Sequence, residues 1–394
     1  MWRTVLSTPA RAAVGSGFFL LIALQYFNAG ANVKALIAAS PHIGFLLAPL
    51  AIYFFARAHV KVAHAMSGLM AASALFLAVA GMAANFELYL IAILLSVPLP
   101  MLIPPLSTAL WRQNVPTFER GSRFSNVHIA GIIASLVSGL VISWWLKDIS
   151  LFRPVLYALA LLRLGSAAAA LTIPSEPLTS PLQLPHAHLS LFWRDKLFGY
   201  VSLLWTIMGI ANLSTMPLRV EYIASGNYGM KYSPALVIIL LQVVTSAMML
   251  LSARFWGRIF DRVNFAYMRM GINACFGLSI VTFFTPWLPL QCVGSVLFGL
   301  AGGGSPIVWN LWVTKIAPVE KTADYQAMHA FLCGIRGIAG PFLGYYLLHG
   351  MSIYHVAWLA TGMVLVATLM CIPLARATRL IAHVEAVRNG VNMD

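Results

Sequence analysis

Charged residues are scarce in this chain of 394 residues: Asp, Glu, Lys and Arg together make up 9%, where soluble globular proteins carry about 25%. Hydrophobic residues make up 60% of the chain and the mean hydropathy is +0.83. Because a soluble fold has too little polar surface to cover so many apolar side chains, the composition disfavours a soluble enzyme, a secreted factor and a nucleic-acid-binding module. It predicts an integral membrane protein.

Cysteine and acidic residues are also few. The four cysteines form no close pair and no metal-binding spacing, so they indicate apolar packing and neither a disulfide framework nor a metal site. All 11 Asp and Glu residues are predicted to lie in loops, helix ends or tails, so no carboxylate is expected near the middle of the membrane. The chain lacks a Gly-Lys-Ser/Thr nucleotide loop, which excludes direct use of ATP.

Twelve apolar runs of membrane-spanning length follow one another along the chain. A hydrocarbon core of about 30 Å takes roughly 20 helical residues, so twelve spans leave no room for a folded domain outside the membrane. The predicted spans are 13–31, 39–56, 64–84, 88–109, 125–146, 153–173, 197–216, 234–253, 267–285, 288–311, 327–348 and 353–374. The predicted fold class is an all-α, polytopic membrane protein with twelve transmembrane helices.

Basic residues are distributed unevenly between the two sides that these spans define. With twelve spans both termini lie on one side, and 18 of the 25 Lys and Arg residues fall there, Arg269 among them. The segments of the opposite side contain Lys34, Lys147, Arg153, Arg219 and Lys231. Because basic residues concentrate in cytoplasmic loops, the asymmetry predicts a multi-pass protein with both termini in the cytoplasm. It also explains the net charge of +14 without a nucleic-acid partner.

A proline-rich stretch divides the spans six and six. Four prolines between positions 174 and 196 exclude a spanning helix and indicate a loop. The predicted organisation is an N-terminal six-helix bundle (1–173), a cytoplasmic linker (174–196), a C-terminal six-helix bundle (197–375) and a cytoplasmic tail (376–394).

The two halves share a repeat at a shift of 201 residues. Six identities fall in 36 aligned positions: Pro105 and Pro306, Leu110 and Leu311, Trp111 and Trp312, Glu119 and Glu320, His128 and His329, and Gly139 and Gly340. Because one repeat carries six spans, both copies have the same orientation. The repeat predicts two parallel, pseudo-symmetric bundles, a design in which transporters place the substrate site at the interface near mid-membrane.

Three short segments resemble the major facilitator superfamily. GRIFDRVNFAYMR contains Gly257, Asp261 and Arg262 in the spacing of that superfamily's cytoplasmic loop signature. NVPTFERGSRFS after the fourth span and GIRGIAGPFLG in the eleventh are similar to segments common in the superfamily. The resemblance implies the superfamily's two-bundle fold and solute transport. In the first half, Ala56 and Val60 stand where the signature has Gly and Asp.

The loop signature suggests a latch between the two halves. Gly257 would let two helix ends approach closely, and Asp261 could then face the positive N-terminus of a neighbouring helix. Arg262, Arg120 or Arg123 could pair with that carboxylate. A contact made in only one conformation would bias a two-state equilibrium. The alternative is a solvated loop that carries only topogenic positive charge.

Polar and aromatic residues accumulate in the first, fourth, seventh and tenth spans, which the resemblance implies line a central cavity. The cavity candidates in these spans are Gln25, Asn28, Trp205, Asn212, Ser305, Trp309 and Asn310. The spacing of Gln25 and Asn28, with Asn32, predicts one helical face. A buried amide needs a partner, so such residues indicate either a hydrated cavity or hydrogen bonds between helices. Amides beside indole faces suit an uncharged or amphipathic organic solute.

Helix-breaking residues occur at repeat-equivalent positions. Pro98, Pro100, Pro104 and Pro105 are predicted to break the fourth span, and the glycines and proline of 302–306 are predicted to break the tenth. Paired interruptions point to unwound helix near a substrate site. The alternative is the ordinary frequency of Gly and Pro in spanning helices.

Two arginines and two histidines are predicted within spans. Arg336 either holds a carboxylate or phosphate group or bonds backbone carbonyls, whereas Arg163 is expected to snorkel or to have a structural role. His128 and His329 could couple transport to protons, and the alternative is packing between helices.

The sequence therefore predicts a secondary active transporter or facilitator that moves a small organic solute by alternating access. The alternatives are a non-transporting sensor or scaffold on the same fold and, with less support, an integral membrane enzyme. No catalytic residue, cofactor or metal is expected. The expected partners are the solute, the lipid bilayer and a coupling ion, either proton or sodium, and the protein is expected to be a monomer in a bacterial inner membrane.

Overall fold

The computed structural model describes residues 1–178, 190–313, 316–317 and 322–377. Within these ranges the chain is helical and contains no β-strand, since its one isolated bridge joins Lys61 to Pro177. The predicted all-α fold class is confirmed. The greater part of the predicted tail and a central part of the predicted linker lie outside the described residues.

Seventeen α-helices make up the described part of the chain. They are α1 (Trp2–Gly15), α2 (Phe18–Gln25), α3 (Ala31–Arg57), α4 (Val62–Met82), α5 (Phe86–Ser96), α6 (Ile103–Asn114), α7 (Thr117–Trp145), α8 (Phe152–Leu171), α9 (Leu191–Arg194), α10 (Lys196–Ala224), α11 (Pro234–Ile238), α12 (Thr245–Arg262), α13 (Phe265–Phe283), α14 (Leu288–Leu311), α15 (Thr322–Leu347), α16 (Ile353–Leu369) and α17 (Cys371–Ala375). Short 3₁₀ helices lie at Leu99–Leu102 and Ile149–Leu151, and a π-helix lies at Ile239–Val244.

The chain forms two compact units. The first contains residues 1–184 and 220–243, and the second contains residues 185–219 and 244–394. In the first unit α4 packs against α5 and α8, and α1 packs against α7 and α8. In the second unit α14 packs against α12 and α13, and α13 packs against α16. The division of the chain into two six-helix halves stays a prediction from the sequence.

Ten helices in the described ranges are long and apolar enough to cross a membrane, and the bent pair of α1 and α2 would make eleven. The ninth predicted span corresponds to α13, which is helical but is not among the ten. Arg269 and Asn273 lie on its buried face and lower its hydropathy. Because these polar side chains face the protein, the exposed face of α13 keeps apolar and aromatic side chains such as Leu278 and Tyr267.

The first predicted span, 13–31, is wrong in its bounds. The helix begins at Trp2, bends by 46° between α1 and α2, and ends at Gln25. Gly17 makes the bend, because its φ of +73° is a conformation that L side chains rarely adopt. A Cβ built at Gly17 would lie 2.6 Å from Val220 Cγ2, so the close packing also excludes a side chain.

The two predicted helix interruptions differ in outcome. In the fourth span the α-helix is interrupted as predicted, since α5 ends at Ser96 and a 3₁₀ helix precedes α6, while the two parts together form one candidate span, Phe86–Asn114. The predicted break in the tenth span is wrong, because α14 continues through its glycines and Pro306. Trp256 and Ser252 of α12 both donate to the carbonyl of Leu300, at 2.7 and 3.3 Å. The small residues of α14 therefore admit a close neighbouring helix without unwinding.

Replacement of Gly17 by alanine is expected to destabilise the protein by about 1–3 kcal/mol, because the αL conformation and the Val220 contact both oppose a Cβ. Thermal unfolding of the purified protein in detergent measures the loss. Gly15→Ala is the matched control: no atom lies within 4 Å of its Cβ position, so this helical substitution is expected to be neutral or slightly stabilising. Equal melting temperatures for the two variants would contradict this account of the bend.

Candidate functional site

Aromatic side chains of the second unit surround His329. The imidazole is 1% exposed, and its ring centroid lies 5.3 Å from Trp205, 5.4 Å from Trp309 and 5.1 Å from Trp312. Trp205 comes from α10, Trp309 from the last turn of α14, and His329 from α15, while Trp312 is the residue that follows α14. These contacts are those of a packed imidazole, and the proton-linked role of His329 stays a prediction.

Arg336 extends from α15 towards α10 and is 6% exposed. Its Nη1 donates to the backbone carbonyl of Trp205 at 2.5 Å, and its Nη2 donates to Cys333 Sγ at 2.8 Å. Gly209 allows this path, since a Cβ there would lie 2.5 Å from Arg336 Cδ. Of the two roles predicted for Arg336, the hydrogen bonds therefore support carbonyl binding. Cys333 also accepts a hydrogen bond from Trp309 Nε1 at 3.3 Å, which adds a polar role to its packing role.

Arg269 of α13 is a second buried arginine in this cluster. It is 0% exposed, and its guanidinium carbon lies 3.7 Å from the ring centroid of Trp205. Across the described part of the chain, Nε, Nη1 and Nη2 of Arg269 have no hydrogen-bond partner. The sequence reasoning counted Arg269 among the loop charges. Its place inside the ninth predicted span, one helical turn before Asn273, was the signal that could have identified it.

The remaining cavity candidates of the second unit lie on the same helices. Asn212 lies seven residues after Trp205 on α10, on the same face of the helix. Its Oδ1 is buried and has no hydrogen-bond partner among the described residues. Ser305 is half-buried in α14. The side chain of Asn310 lies outside the described residues.

A polar joint in the first unit connects residues 220–243 to the helices that precede them in the chain. Lys34 Nζ of α3 lies 2.5 Å from Glu221 Oε2 near the end of α10, and the two side chains are 9% and 6% exposed. Gln25 Nε2 donates to the carbonyls of Ala224 and Tyr232, at 3.1 and 3.4 Å. Because α10 continues past the predicted end of its span at residue 216, Glu221 lies in the last turn of this helix, which is one of the helix ends predicted for the carboxylates.

Gln242 forms the other part of this polar joint. Its Oε1 accepts from Ser16 Oγ at 3.1 Å, and its Nε2 donates to the carbonyl of Ser135 at 3.0 Å and to Ser138 Oγ at 3.1 Å. The residue lies in the π-helix and is 2% exposed. A π-turn often marks a functional position in a helix, and here it presents one amide to two other helices. The sequence carried no signal for this turn.

Asn28 lies apart from the polar joint. It is exposed in the turn between α2 and α3, with a φ of +52°. The predicted helical face shared by Gln25 and Asn28 is therefore wrong, because the helix ends at Gln25. Asparagine tolerates this left-handed conformation better than most residues.

Comparison with known protein families and solved structures identifies the family of this chain. The family model described as the Major Facilitator Superfamily matches residues 4–341. The chain belongs to the major facilitator superfamily. No curated protein sequence matches the chain.

Solved structures of superfamily transporters resemble this one in fold. The nucleoside transporter NupG has a TM-score of 0.74 at 15% identity, with 95% of this chain and 98% of that chain covered. A D-xylose-proton symporter has a TM-score of 0.67 at 14% identity, covering 94% and 95%. A POT family transporter in complex with a thioalcohol conjugated peptide has a TM-score of 0.68 at 10% identity, covering 95% of each chain.

The superfamily's loop signature is only partly visible in the described side chains. Gly257 is half-buried in α12, whereas the side chains of Asp261, Arg262 and Arg120 lie outside the described residues. Arg123 is exposed and pairs with Glu119 at 2.6 Å, one turn away on its own helix. The latch between these residues stays a prediction.

The other predicted arginine and histidine lie in the first unit. Arg163 is 2% exposed and donates to Ser73 Oγ at 2.5 Å and to Ser96 Oγ at 3.4 Å, which is a structural role without snorkelling. His128 stacks on Phe124 with a centroid distance of 6.4 Å. The described part of the chain offers no hydrogen-bond partner to its Nε2.

Burial of charge is not limited to the two arginines predicted within spans. Lys34, Arg219, Glu221 and Arg269 are buried as well. Most of these buried charges have polar partners from other helices. A hydropathy pattern contains no information about such partners. Among the described residues no group of three or more His, Cys, Asp or Glu side chains could hold a metal ion.

Removal of one member of the Lys34–Glu221 pair is expected to lower the free energy of unfolding by about 3–5 kcal/mol, because the remaining charge stays buried. The variants are Lys34→Met, Glu221→Gln and their combination, measured by thermal unfolding in detergent. The combined variant is expected to recover most of the loss. Additive losses in the double variant would contradict a direct buried ion pair.

Proposed function

We propose that this protein is a secondary carrier or facilitator that moves a small organic solute across the membrane by alternating access. Its superfamily and fold are those of transporters, and its neighbours in fold carry names of nucleoside, sugar-proton and peptide transport. The same membership supports a transporter over an integral membrane enzyme. The basic asymmetry of the loops supports cytoplasmic termini, and the apolar composition supports a multi-pass protein, for which we propose a bacterial inner membrane and a monomer.

The polar joint of the first unit is the observation that carries this proposal. The Lys34–Glu221 pair, with the bonds of Gln25 and Gln242, joins segment 220–243 to helices that precede it by about 200 residues in the chain. A buried ion pair contributes little net stability compared with apolar packing. It does, however, specify one arrangement of the helices that hold it. We propose that this joint forms in one transport state and separates in the other.

The solute chemistry is suggested by the second unit. Three indole rings, the amide of Asn212 and two guanidinium groups lie on α10, α13, α14 and α15. Aromatic faces suit a planar or partly apolar solute, and the guanidinium groups favour a solute with an electronegative part. We propose that Trp205, Asn212, Ser305, Trp309 and Arg336 contribute to its recognition.

A cross-link across the polar joint is expected to stop transport. The double variant Lys34→Cys with Glu221→Cys, treated with a short methanethiosulfonate cross-linker, should lose uptake in proteoliposomes and regain it after reduction with dithiothreitol. The solute for this assay comes from a thermal-shift screen of the purified protein against a metabolite library, since a ligand that binds the folded state raises the melting temperature.

Each single-cysteine variant treated in the same way is the control, and its uptake should be the same before and after addition of the cross-linker. Full uptake by the cross-linked double variant would contradict separation of the joint. A ligand that stabilises the protein but is never taken up would contradict the carrier and favour the sensor or scaffold alternative.

A further inference from the structure

The guanidinium group of Arg269 is buried without a hydrogen bond. Arg269 lies in the second turn of α13 and is 0% exposed, and its guanidinium carbon lies 3.7 Å from the centroid of the Trp205 indole ring. A cation over an indole gains about 0.5–2 kcal/mol. Burial of an unpaired charge costs several kcal/mol even after relaxation. The contact with Trp205 therefore does not offset the burial.

The electrostatic surroundings of Arg269 make the imbalance larger. The titratable groups that interact with it are Cys371, Cys333 and Arg336. None of these is a carboxylate, and Arg336 carries the same charge. The guanidinium carbon of Arg336 lies 5.5 Å from the centroid of the same indole ring. Two cations therefore lie close to one indole ring, and no carboxylate of the described residues is hydrogen-bonded to either of them.

The other buried cations of the described residues each have polar partners. Lys34 pairs with a carboxylate, Arg163 donates to two serine hydroxyls, and Arg336 donates to a carbonyl and a thiol. Arg219 donates to Ser279 at 2.8 Å and stacks on two phenyl rings. Arg269 alone lacks a hydrogen-bond acceptor within these ranges, so its environment differs in kind from that of the other four.

Further hydrogen-bonding groups near Arg269 also lack partners. Asn273 lies one turn further along α13 on the same face and is 0% exposed, and neither Nδ2 nor Oδ1 has a partner among the residues described. The same holds for Nε1 of Trp205. Donors therefore outnumber acceptors at this place. Buried polar groups in native proteins are almost always hydrogen-bonded, so the excess of donors indicates a ligand that supplies acceptors.

We infer that Arg269, together with Trp205 and Asn273, binds an oxyanion group, a carboxylate or a phosphate, within the second unit. The planar fork of a guanidinium donates two parallel hydrogen bonds to either group. Because the guanidinium is enclosed in this structure, binding requires the Trp205 ring or a neighbouring helix to move. The oxyanion belongs either to a soluble molecule or to a lipid headgroup, and binding does not depend on whether the protein transports it.

Anion-dependent thermal stability tests this inference. The purified full-length protein is unfolded in a neutral detergent over a series of inorganic phosphate concentrations, with sodium chloride keeping the ionic strength constant. A second series replaces phosphate by mixed micelles that contain phosphatidylglycerol, with phosphatidylcholine as the neutral comparison. We expect the wild type to melt at a higher temperature in at least one series, since ligand binding stabilises the folded state.

The variants separate a binding role from a packing role. Arg269→Met is expected to lose the anion-dependent rise and, in anion-free buffer, to melt at the same temperature as the wild type or higher, because an unpaired buried charge is removed. Arg269→Lys and Asn273→Ala are expected to weaken the apparent affinity by about tenfold, which corresponds to about 1.4 kcal/mol. Arg163→Met is the matched control, which should lower the melting temperature in every buffer and keep the anion response.

A response to phosphate identifies a soluble oxyanion, and a response to phosphatidylglycerol alone identifies a lipid headgroup. Either response supports the inference if the Arg269 variants lose that response. Equal behaviour of the wild type and the Arg269 variants in both series, including no response in any of them, would overturn the inference. Arg269→Lys and Asn273→Ala give the same comparison if Arg269→Met does not fold.

Discussion

The burial of charge away from water is the constraint on which this structure depends. A membrane protein with 9% charged residues still encloses five cations among its described residues, and each is compensated differently. Lys34 has a carboxylate, Arg163 has two hydroxyls, Arg219 has a hydroxyl and two phenyl rings, and Arg336 has a carbonyl and a thiol. Arg269 has an indole face. The first four cations have polar partners in the protein and stabilise the fold. Arg269 has no hydrogen-bond acceptor among the described residues, so its guanidinium group can bind a ligand.

The two compact units use their polar residues for different purposes. In the first unit, Gln25, Gln242 and the Lys34–Glu221 pair satisfy one another or backbone carbonyls, so the polar groups specify how helices meet. In the second unit, the indole rings around His329 form an apolar enclosure in which Arg269 is left with unsatisfied donors. A buried polar group without a hydrogen-bond partner needs an explanation, and a bound ligand is one. The carrier proposal assigns conformational change to the polar joint of the first unit and solute recognition to the second unit.

Sequence reasoning recovered what depends on local composition and missed what depends on tertiary partners. Ten of the twelve predicted spans correspond to helices that are long and apolar enough to cross a membrane, and the bent pair of α1 and α2 corresponds to an eleventh, because lipid requires an apolar surface. The prolines after Ser96 correctly predicted an interruption of the α-helix. Hydropathy failed at Gly17, where one αL residue lets the first span begin near the N-terminus. Hydropathy did not predict that Glu221 and Arg269 are buried. The partner of each is remote in sequence, and no local pattern contains it. The π-helix around Gln242 was missed for the same reason.

An experimental structure of the wild-type protein purified from its native membrane lipids tests the central claim most directly, because it shows what lies against the guanidinium of Arg269. The account predicts non-protein density within hydrogen-bond distance of that group, shaped as a carboxylate or phosphate, with the indole of Trp205 displaced or re-oriented to admit it. A well-ordered map in which Arg269 keeps its stacked position on Trp205, or pairs with an acidic side chain of the protein, would contradict the account.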